Sequence, residues 1–145
     1  MDAIWIVVAN KGQACIYGAN RRGEGLNLID EFVHEAGKAH LQELVSDAPG
    51  RVHDRQGAAR HSMEPDVGFQ QDSIRRFARK IVDYLEAGAD EGLYDRLIFV
   101  AAPAFLGIIR KCVDRQLDER IILEIPKNIA GKDVAKLSAL LDREL

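Results

Sequence analysis

Hydrophobic positions divide the chain into a strand-rich first part and a second part in which strands alternate with helices. Residues 4–9 form an uninterrupted apolar run, which predicts a central strand covered on both faces. A turn at residues 10–12 and a second apolar run at residues 14–17 follow it. Residues 26–34 then alternate between apolar and polar side chains, as a partly exposed strand does. Three strands joined by short turns predict an antiparallel meander.

The least regular part of the chain follows the third strand. After a short helical piece at residues 38–44, residues 46–61 carry almost no aliphatic side chain and no sustained period, which predicts a long loop. A stripe of apolar residues at helical spacing then predicts a helix that begins at Pro65 and ends at Gly88. The members of this stripe are Ile74, Phe77, Ala78, Ile81 and Leu85.

The last third of the chain predicts two further strands, each followed by a helix. A buried strand is expected at residues 96–101 and a last strand at residues 121–125. A helix begins at Pro103, and the final helix covers residues 134–141. The helix after Pro103 has four predicted core positions, namely Leu106, Ile109, Val113 and Leu117. Because crossovers between parallel strands are right-handed, we expect the fourth and fifth strands to run parallel to the first. The predicted fold class is α/β, a single domain over residues 1–145 with a five-stranded mixed sheet in the order 3-2-1-4-5.

Composition and charge limit the classes of function. The formal net charge of −3 excludes an attraction of the whole protein to nucleic acid or to an anionic membrane, so any basic surface has to be local. The chain starts without a basic leader and contains no long apolar run, so we expect no signal peptide, no membrane span and a cytoplasmic location. Cys15 and Cys112 lie in separate apolar stretches and are expected to be buried, reduced thiols.

Basic residues are concentrated in the predicted loop and on the helix that follows it. A segment of this kind can contact phosphate groups as it becomes ordered. On charge alone, a solvated loop with ordinary surface charges explains the loop equally well. The helix favours the interpretation as a phosphate-binding surface, because it adds three arginines outside its apolar stripe. The loop residues are Arg51, His53, Arg55, Arg60 and His61, against Asp47 and Asp54, and the helix residues are Arg75, Arg76 and Arg79.

Other candidate sites have weaker signals. The turn at residues 101–107 joins the carboxyl end of a strand to the start of a helix, where free amides can bind an anion. It lacks the glycine spacing of a dinucleotide-binding loop, and Gly107 can instead permit close helix packing. The four histidines show no metal-ligand spacing, so we predict neither a metal nor a cofactor. Ser46 and Asp47 with a histidine of the loop can form a hydrolytic group only if the fold brings them together.

Several separated motifs, in this order, resemble the bacterial host-attachment protein family. They are residues Trp5–Asn10, Ser46–Arg51, Arg60–Met63, Phe77–Ala78 and Ala101–Gly107, with Arg110. The resemblance covers essentially the whole chain. That family is in turn similar to the middle domain of archaeal and eukaryotic peptide-chain release factors, in which a meander of strands leads to a loop carrying Gly-Gly-Gln and then to a basic helix. The resemblance implies an RNase-H-like mixed sheet and RNA or the ribosome as a partner.

Two departures from the family pattern limit what the resemblance implies. The loop contains no Gly-Gly-Gln, so hydrolysis of peptidyl-tRNA does not carry over. Asn10 and Asn128 stand where the pattern often has aspartate, which weakens a catalytic role for acidic groups at those positions.

We therefore predict a non-enzymatic, release-factor-like binding module, linked to host attachment, that engages RNA, the ribosome or another anionic partner through a basic loop. The alternative is a small phosphate-ligand binder or hydrolase that uses the turn at residues 101–107 and the loop at residues 46–61. The predicted ligand-binding residues are Asp47, Gly50, Arg51, Arg55, Arg60, His61, Arg76, Arg79 and Arg110.

Overall fold

A computed structural model of the chain describes residues 3–20, 25–37, 52–129 and 132–144, with only the backbone described for residues 52–70. The strands in these ranges are β1 (Ile4–Asn10), β2 (Gln13–Ala19), β3 (Asn27–Val33), β4 (Arg96–Ala101) and β5 (Ile121–Ile125). The helices are α1 (Val52–Asp90), α2 (Pro103–Cys112), α3 (Arg115–Asp118) and α4 (Val134–Glu144). Residues 35–37 are helical as well.

The strands form one mixed sheet in the order β3-β2-β1-β4-β5. β1 pairs antiparallel with β2, and β2 pairs antiparallel with β3, so the first three strands form the expected meander. β4 runs parallel to β1 on one side and to β5 on the other. The α/β class, the strand order and the strand directions predicted from the sequence are therefore confirmed.

The central position of β1 explains its uninterrupted apolar run. Because successive side chains of a strand point to opposite faces, Trp5 and Val7 enter one core cluster while Ile4 and Ile6 enter the other. All four side chains are buried. Helices α1, α2 and α3 cover the first face, and α4 covers the second. The buried stripe of α4 consists of Leu137, Leu140 and Leu141.

α1 ends later than the sequence pattern predicted. The helix continues past Gly88 to Asp90 and is closed by Gly92, whose φ of 73° is the left-handed conformation that favours glycine. The amide of Leu93 donates to the carbonyl of Gly88 at 2.9 Å, which completes this C-terminal turn. Gly88 has a different role, because a Cβ atom there would lie 2.7 Å from the indole ring of Trp5. It lets α1 approach the sheet closely.

α1 also begins earlier, at Val52, so the prediction of a long loop at residues 46–61 is wrong for residues 52–61, whose backbone is helical. Pro65 lies inside the helix and does not start it. The physical reason is that alanine, glutamine and arginine favour a helix by local propensity, whereas an apolar stripe appears only where the helix packs on the sheet. The earlier part of that loop and the short helix predicted at residues 38–44 lie outside the described residues.

The single helix predicted from Pro103 through Leu117 is also wrong, because the chain is broken into α2 and α3. Val113 is extended, and the carboxylate of Asp114 accepts a hydrogen bond at 2.8 Å from the amide of Leu117, which caps the start of α3. Gly107 does not serve close packing, since it is exposed and a Cβ atom there would meet nothing within 4 Å.

Both cysteines are free thiols. Cys15 is buried, as predicted, but Cys112 is partly exposed. Among the helices in the described ranges, none combines the length and the apolar character that crossing a membrane requires.

Candidate functional site

A cleft with a volume of about 740 Å³ opens at the carboxyl ends of β1 and β4. Its wall is formed by the end of β1, the turn after β4, one side of α2, the residue pair Ile74 and Arg75 of α1, and Asn128 after β5. We call it the strand-end cleft. Because β1 and β4 are parallel neighbours, their carboxyl ends meet at one edge of the sheet, which is where α/β proteins commonly bind ligands.

Asn10, the last residue of β1, shapes this edge. Its side-chain oxygen accepts hydrogen bonds from the amides of Gly12 at 2.8 Å and Gln13 at 3.0 Å, which stabilises the turn into β2. Its amide nitrogen donates to the side-chain oxygen of Asn128 at 3.3 Å. The two asparagines singled out in the sequence therefore meet in space, although 118 residues separate them in the chain.

The backbone of Lys11 is held in place by a second set of contacts. Nδ1 of His34 donates to the Lys11 carbonyl at 2.8 Å, so in the neutral ring Nε2 accepts from the hydroxyl of Ser73 on α1. The His34 ring also stacks on Phe77, with 5.0 Å between the ring centroids. A Cβ atom on Gly37 would overlap the Lys11 carbonyl and the His34 ring. These contacts join the β1–β2 turn to α1 and fix the position of Lys11 in the cleft.

Three cationic side chains line the strand-end cleft, and none of the lining residues that the structure describes is an aspartate or glutamate. They are Lys11, Arg75 and Lys111. Arg75 lies 3.5 Å from Asp72, but both side chains are mostly exposed, so solvent screens that pair. Burial lowers the pKa of the Lys11 amino group. A partly desolvated cation gains more from an anionic partner than one in bulk water.

The rest of the lining is mostly apolar. Ile74 of α1, and Phe105 and Ile108 of α2, belong to this lining, and the partly exposed Cys112 lies at the end of α2. α2 begins with a proline, carries no acidic residue in its first turn, and has no side chain that caps its amides. The cleft therefore combines positive charge and free amide donors with an apolar surface.

The arginines predicted as ligand-binding residues have several different environments. Arg79 donates to Asp83 at 3.1 Å and to the carbonyl of Cys112 at 3.0 Å. Arg110 is paired with Asp118 at 2.9 Å and with Glu124. Neither arginine lines the strand-end cleft.

The remaining predicted residues fall into two groups. Arg76 is exposed on α1 and has no acidic partner among the side chains that the structure describes. The others lie where side chains are not described: Arg55, Arg60 and His61 belong to the helical backbone of α1, and Asp47, Gly50 and Arg51 lie outside the described residues. Lys11 and Lys111 were missed in the sequence, where the only available signal for Lys11 is its position immediately after a buried strand.

Carboxylates are gathered in a different cleft, of about 570 Å³, between the end of α1 and α3. Its acidic lining residues are Glu86, Asp90, Asp114 and Glu119, with Arg120 beside them. Burial, followed by the neighbouring Asp114, raises the pKa of Glu86. Within the described part of the chain, no three side chains of metal-binding type are grouped closely enough to hold a metal ion. The described charged residues of this cleft are thus mainly acidic, whereas those of the strand-end cleft are cationic.

Comparisons with known proteins agree with this fold. The sequence model of one protein family, described as "Protein required for attachment to host cells", matches residues 5–141. No protein of curated function is significantly similar to the chain in sequence. Among solved structures, an archaeal translation termination factor is similar with a TM-score of 0.50 and 15% identity, covering 98% of this chain and 37% of that one. The chain thus spans 37% of the length of that factor, and the likeness shows the fold.

Proposed function

Since the chain belongs to the family of proteins required for attachment to host cells, we propose that it is a release-factor-like binding module that engages RNA or the ribosome. One observation carries this proposal: in a chain of net charge −3, three cations converge on the strand-end cleft, and its described lining contains no acidic residue. Phosphate groups are the anions that nucleic acids present in quantity, and lysine and arginine are the side chains that contact them.

α1 extends this surface away from the cleft. With 39 residues it is about 58 Å long, at 1.5 Å per residue. Arg75 lies on the wall of the cleft and the exposed Arg76 follows it. The sequence prediction that Arg51, Arg55 and Arg60 also contact the partner stays part of the proposal. Similarity in fold to a translation termination factor supports RNA or the ribosome as that partner.

Arg79 and Arg110 have a smaller part in the proposal. Both guanidinium groups already bind carboxylates of this chain, so a phosphate would have to compete with those partners. We assign phosphate contact first to Lys11 and Lys111, which line the cleft and form no ion pair with a described carboxylate. Arg75, which lies near Asp72, and Arg76, which lies outside the cleft, come second.

The second candidate, a binder of a small phosphate ligand at the turn of residues 101–107, also has one supporting observation. Ala102 and Ala104 of that turn line the strand-end cleft, next to the uncapped start of α2. Its hydrolase form has less support, because neither a histidine nor a carboxylate is found among the described lining residues to transfer a proton.

Co-sedimentation with ribosomes and binding to single-stranded RNA at several salt concentrations test the proposal. The informative protein is the double variant that carries both Arg75→Ala and Lys111→Ala. The matched control is the pair Arg115→Ala and Lys136→Ala, since Arg115 is 93% exposed and Lys136 lies exposed on α4, on the other face of the sheet. We expect weaker binding in the first pair alone. Equal binding by both pairs, or no binding by the unaltered protein, would refute the proposal.

A further inference from the structure

We propose that the strand-end cleft binds a phosphate monoester joined to an apolar or aromatic body. This is the chemistry of a mononucleotide and of the phosphorylated end of an RNA chain. The inference deepens the proposed function, on which it rests for the choice of a nucleotide as the body. It concerns one cleft and one phosphate group, whereas the proposed function concerns the surface as a whole.

The charge of the cleft favours a terminal phosphate over an internal one. Each phosphate within a nucleic-acid strand carries one negative charge, whereas a monoester carries about −1.5 to −2 at pH 7. Lys11, Arg75 and Lys111 provide three positive charges around one cavity, and no acidic residue is among the lining side chains that the structure describes. A dianionic group therefore neutralises this cleft better than a single phosphodiester does.

Two asparagines add neutral polar groups to the cationic part of the cleft lining. Asn10 uses its oxygen for the turn amides and its nitrogen for the oxygen of Asn128. Because Asn128 uses its side-chain oxygen in that contact and lines the cleft, its amide nitrogen can donate to a phosphate oxygen. Aspartates at these two positions would repel an anion, whereas the two asparagines do not.

The size and the apolar wall of the cleft argue for a ligand larger than inorganic phosphate. A volume of about 740 Å³ lies within the range of about 300–1,000 Å³ that small-molecule sites usually have. Ile74 and Ile108 line the cleft and are only partly buried, so they provide apolar surface that an inorganic phosphate would leave in contact with water. A base and a ribose cover this surface when the phosphate is held by the cations.

Cys112 provides a probe inside the cleft. It lines the cavity and is partly exposed, while Cys15, the other cysteine of the chain, is buried and serves as an internal control. In the folded protein, a maleimide reagent should alkylate Cys112 and spare Cys15, as read by peptide mass mapping. With AMP at about ten times its Kd, the free fraction of the site falls about tenfold, and the labelling rate of Cys112 should fall with it.

Further compounds show which part of the ligand is bound and whether the ligand is a free nucleotide or the end of an RNA chain. Adenosine and inorganic phosphate, each alone at the same concentration, should protect Cys112 much less than AMP. A short RNA with a 5′-phosphate should protect it better than the same RNA with a 5′-hydroxyl. If the phosphorylated RNA protects and AMP does not, the inference holds and the source is the end of an RNA chain.

Variants locate the ligand. Lys111→Ala should weaken protection by AMP by about tenfold, which is the usual effect of losing one hydrogen bond to a charged group. Lys136→Ala on the opposite face should leave protection unchanged. Equal effects of the two variants would overturn the inference, and so would a Cys112 labelling rate that no phosphate monoester changes.

The failure of this inference can be distinguished from the failure of the proposed function. If ribosome or RNA binding is lost in Arg75→Ala with Lys111→Ala while no phosphate monoester protects Cys112, the cleft inference is wrong and the proposed function stands. If AMP protects Cys112 but the protein binds neither RNA nor ribosomes, the proposed function is wrong and the cleft remains a site for a small phosphate ligand.

Discussion

Alanine at two helical glycines should change the stability of the protein in opposite directions. Gly88 in α1 and Gly107 in α2 both lie inside helices, where glycine to alanine stabilises by about 1 kcal/mol through helix propensity alone. At Gly107 the new methyl group meets nothing within 4 Å, so we expect the full gain, about 0.5–1 kcal/mol. The two sites differ only in what surrounds the methyl group.

At Gly88 the methyl group would lie 2.7 Å from two atoms of the Trp5 indole and 3.3 Å from the Tyr94 ring. Trp5 cannot move away easily, because it is buried and stacked between Tyr94 at 4.5 Å and Tyr84 at 5.8 Å, measured between ring centroids. Overpacking of a core costs about 1–3 kcal/mol, and the rigid surroundings place Gly88→Ala near the upper end of that range. After subtraction of the propensity gain, the net loss is about 2 kcal/mol.

Urea unfolding of the two variants measures this difference, with an expected gap of about 2.5–3 kcal/mol between them. Trp5 is the one tryptophan of the chain, so its fluorescence reports unfolding and any change in the packing around Gly88. Equal m-values would show that both variants unfold from a similar native state. If Gly88→Ala is as stable as Gly107→Ala, α1 does not approach β1 as closely as described, and the position of Arg75 beside Lys11 loses its support.

Three further substitutions test individual contacts, two of them beside the cleft and one in the core next to Trp5. Gly37→Ala should destabilise the protein by about 2 kcal/mol or more in urea unfolding, because the methyl group would overlap the carbonyl of Lys11; an unchanged midpoint would contradict that contact. Asn10→Ala should cost about 1 kcal/mol, since two turn amides lose their acceptor, and its thermal unfolding should show a lower Tm. Burial raises the pKa of Tyr94 in the folded protein above the unfolded pKa of about 10. The stability that Tyr94 contributes is therefore fully present below about pH 10 and declines as the pH rises towards the pKa of the folded state. Tyr94→Phe removes the hydrogen bond to the Leu85 carbonyl, so its free energy of unfolding at neutral pH should be lower by about 1 kcal/mol. Above about pH 10 the free energy of unfolding of this variant should fall less steeply than that of the unaltered protein, as measured by urea unfolding at several pH values. An equally steep fall in both proteins would contradict a buried phenol.

The sheet could be predicted from the sequence because its signals are local. The apolar runs of β1 and β4 each predict a buried strand, and the run at β5 predicts a further strand. The right-handed crossover rule then favours β4 and β5 parallel to β1, which leads to the observed strand order. The boundaries of α1 could not be predicted in this way. Its first part has no apolar stripe, and its end depends on Gly92 rather than on Gly88, which is needed against Trp5.

The candidate site was harder to predict, since its residues come from distant parts of the chain. Arginines clustered in sequence suggested a basic surface, but Arg110 forms ion pairs away from the cleft, which spacing in the sequence does not reveal. Lys11 and Lys111 come together only because β1 and β4 end at the same edge and α2 packs there. Local charge density in the sequence indicated a basic surface, but none of the nine residues predicted for it is among the described lining residues of the cleft.

The salt dependence of RNA binding tests the central claim most directly, namely that the cations of the strand-end cleft contact phosphates. Binding to single-stranded RNA should weaken with rising salt, and removal of two phosphate contacts in Lys11→Ala with Lys111→Ala should reduce the slope of log K against log salt by about 1.4. The unaltered protein and Lys136→Ala should share the steeper slope. A slope that is the same in all three proteins would contradict the account.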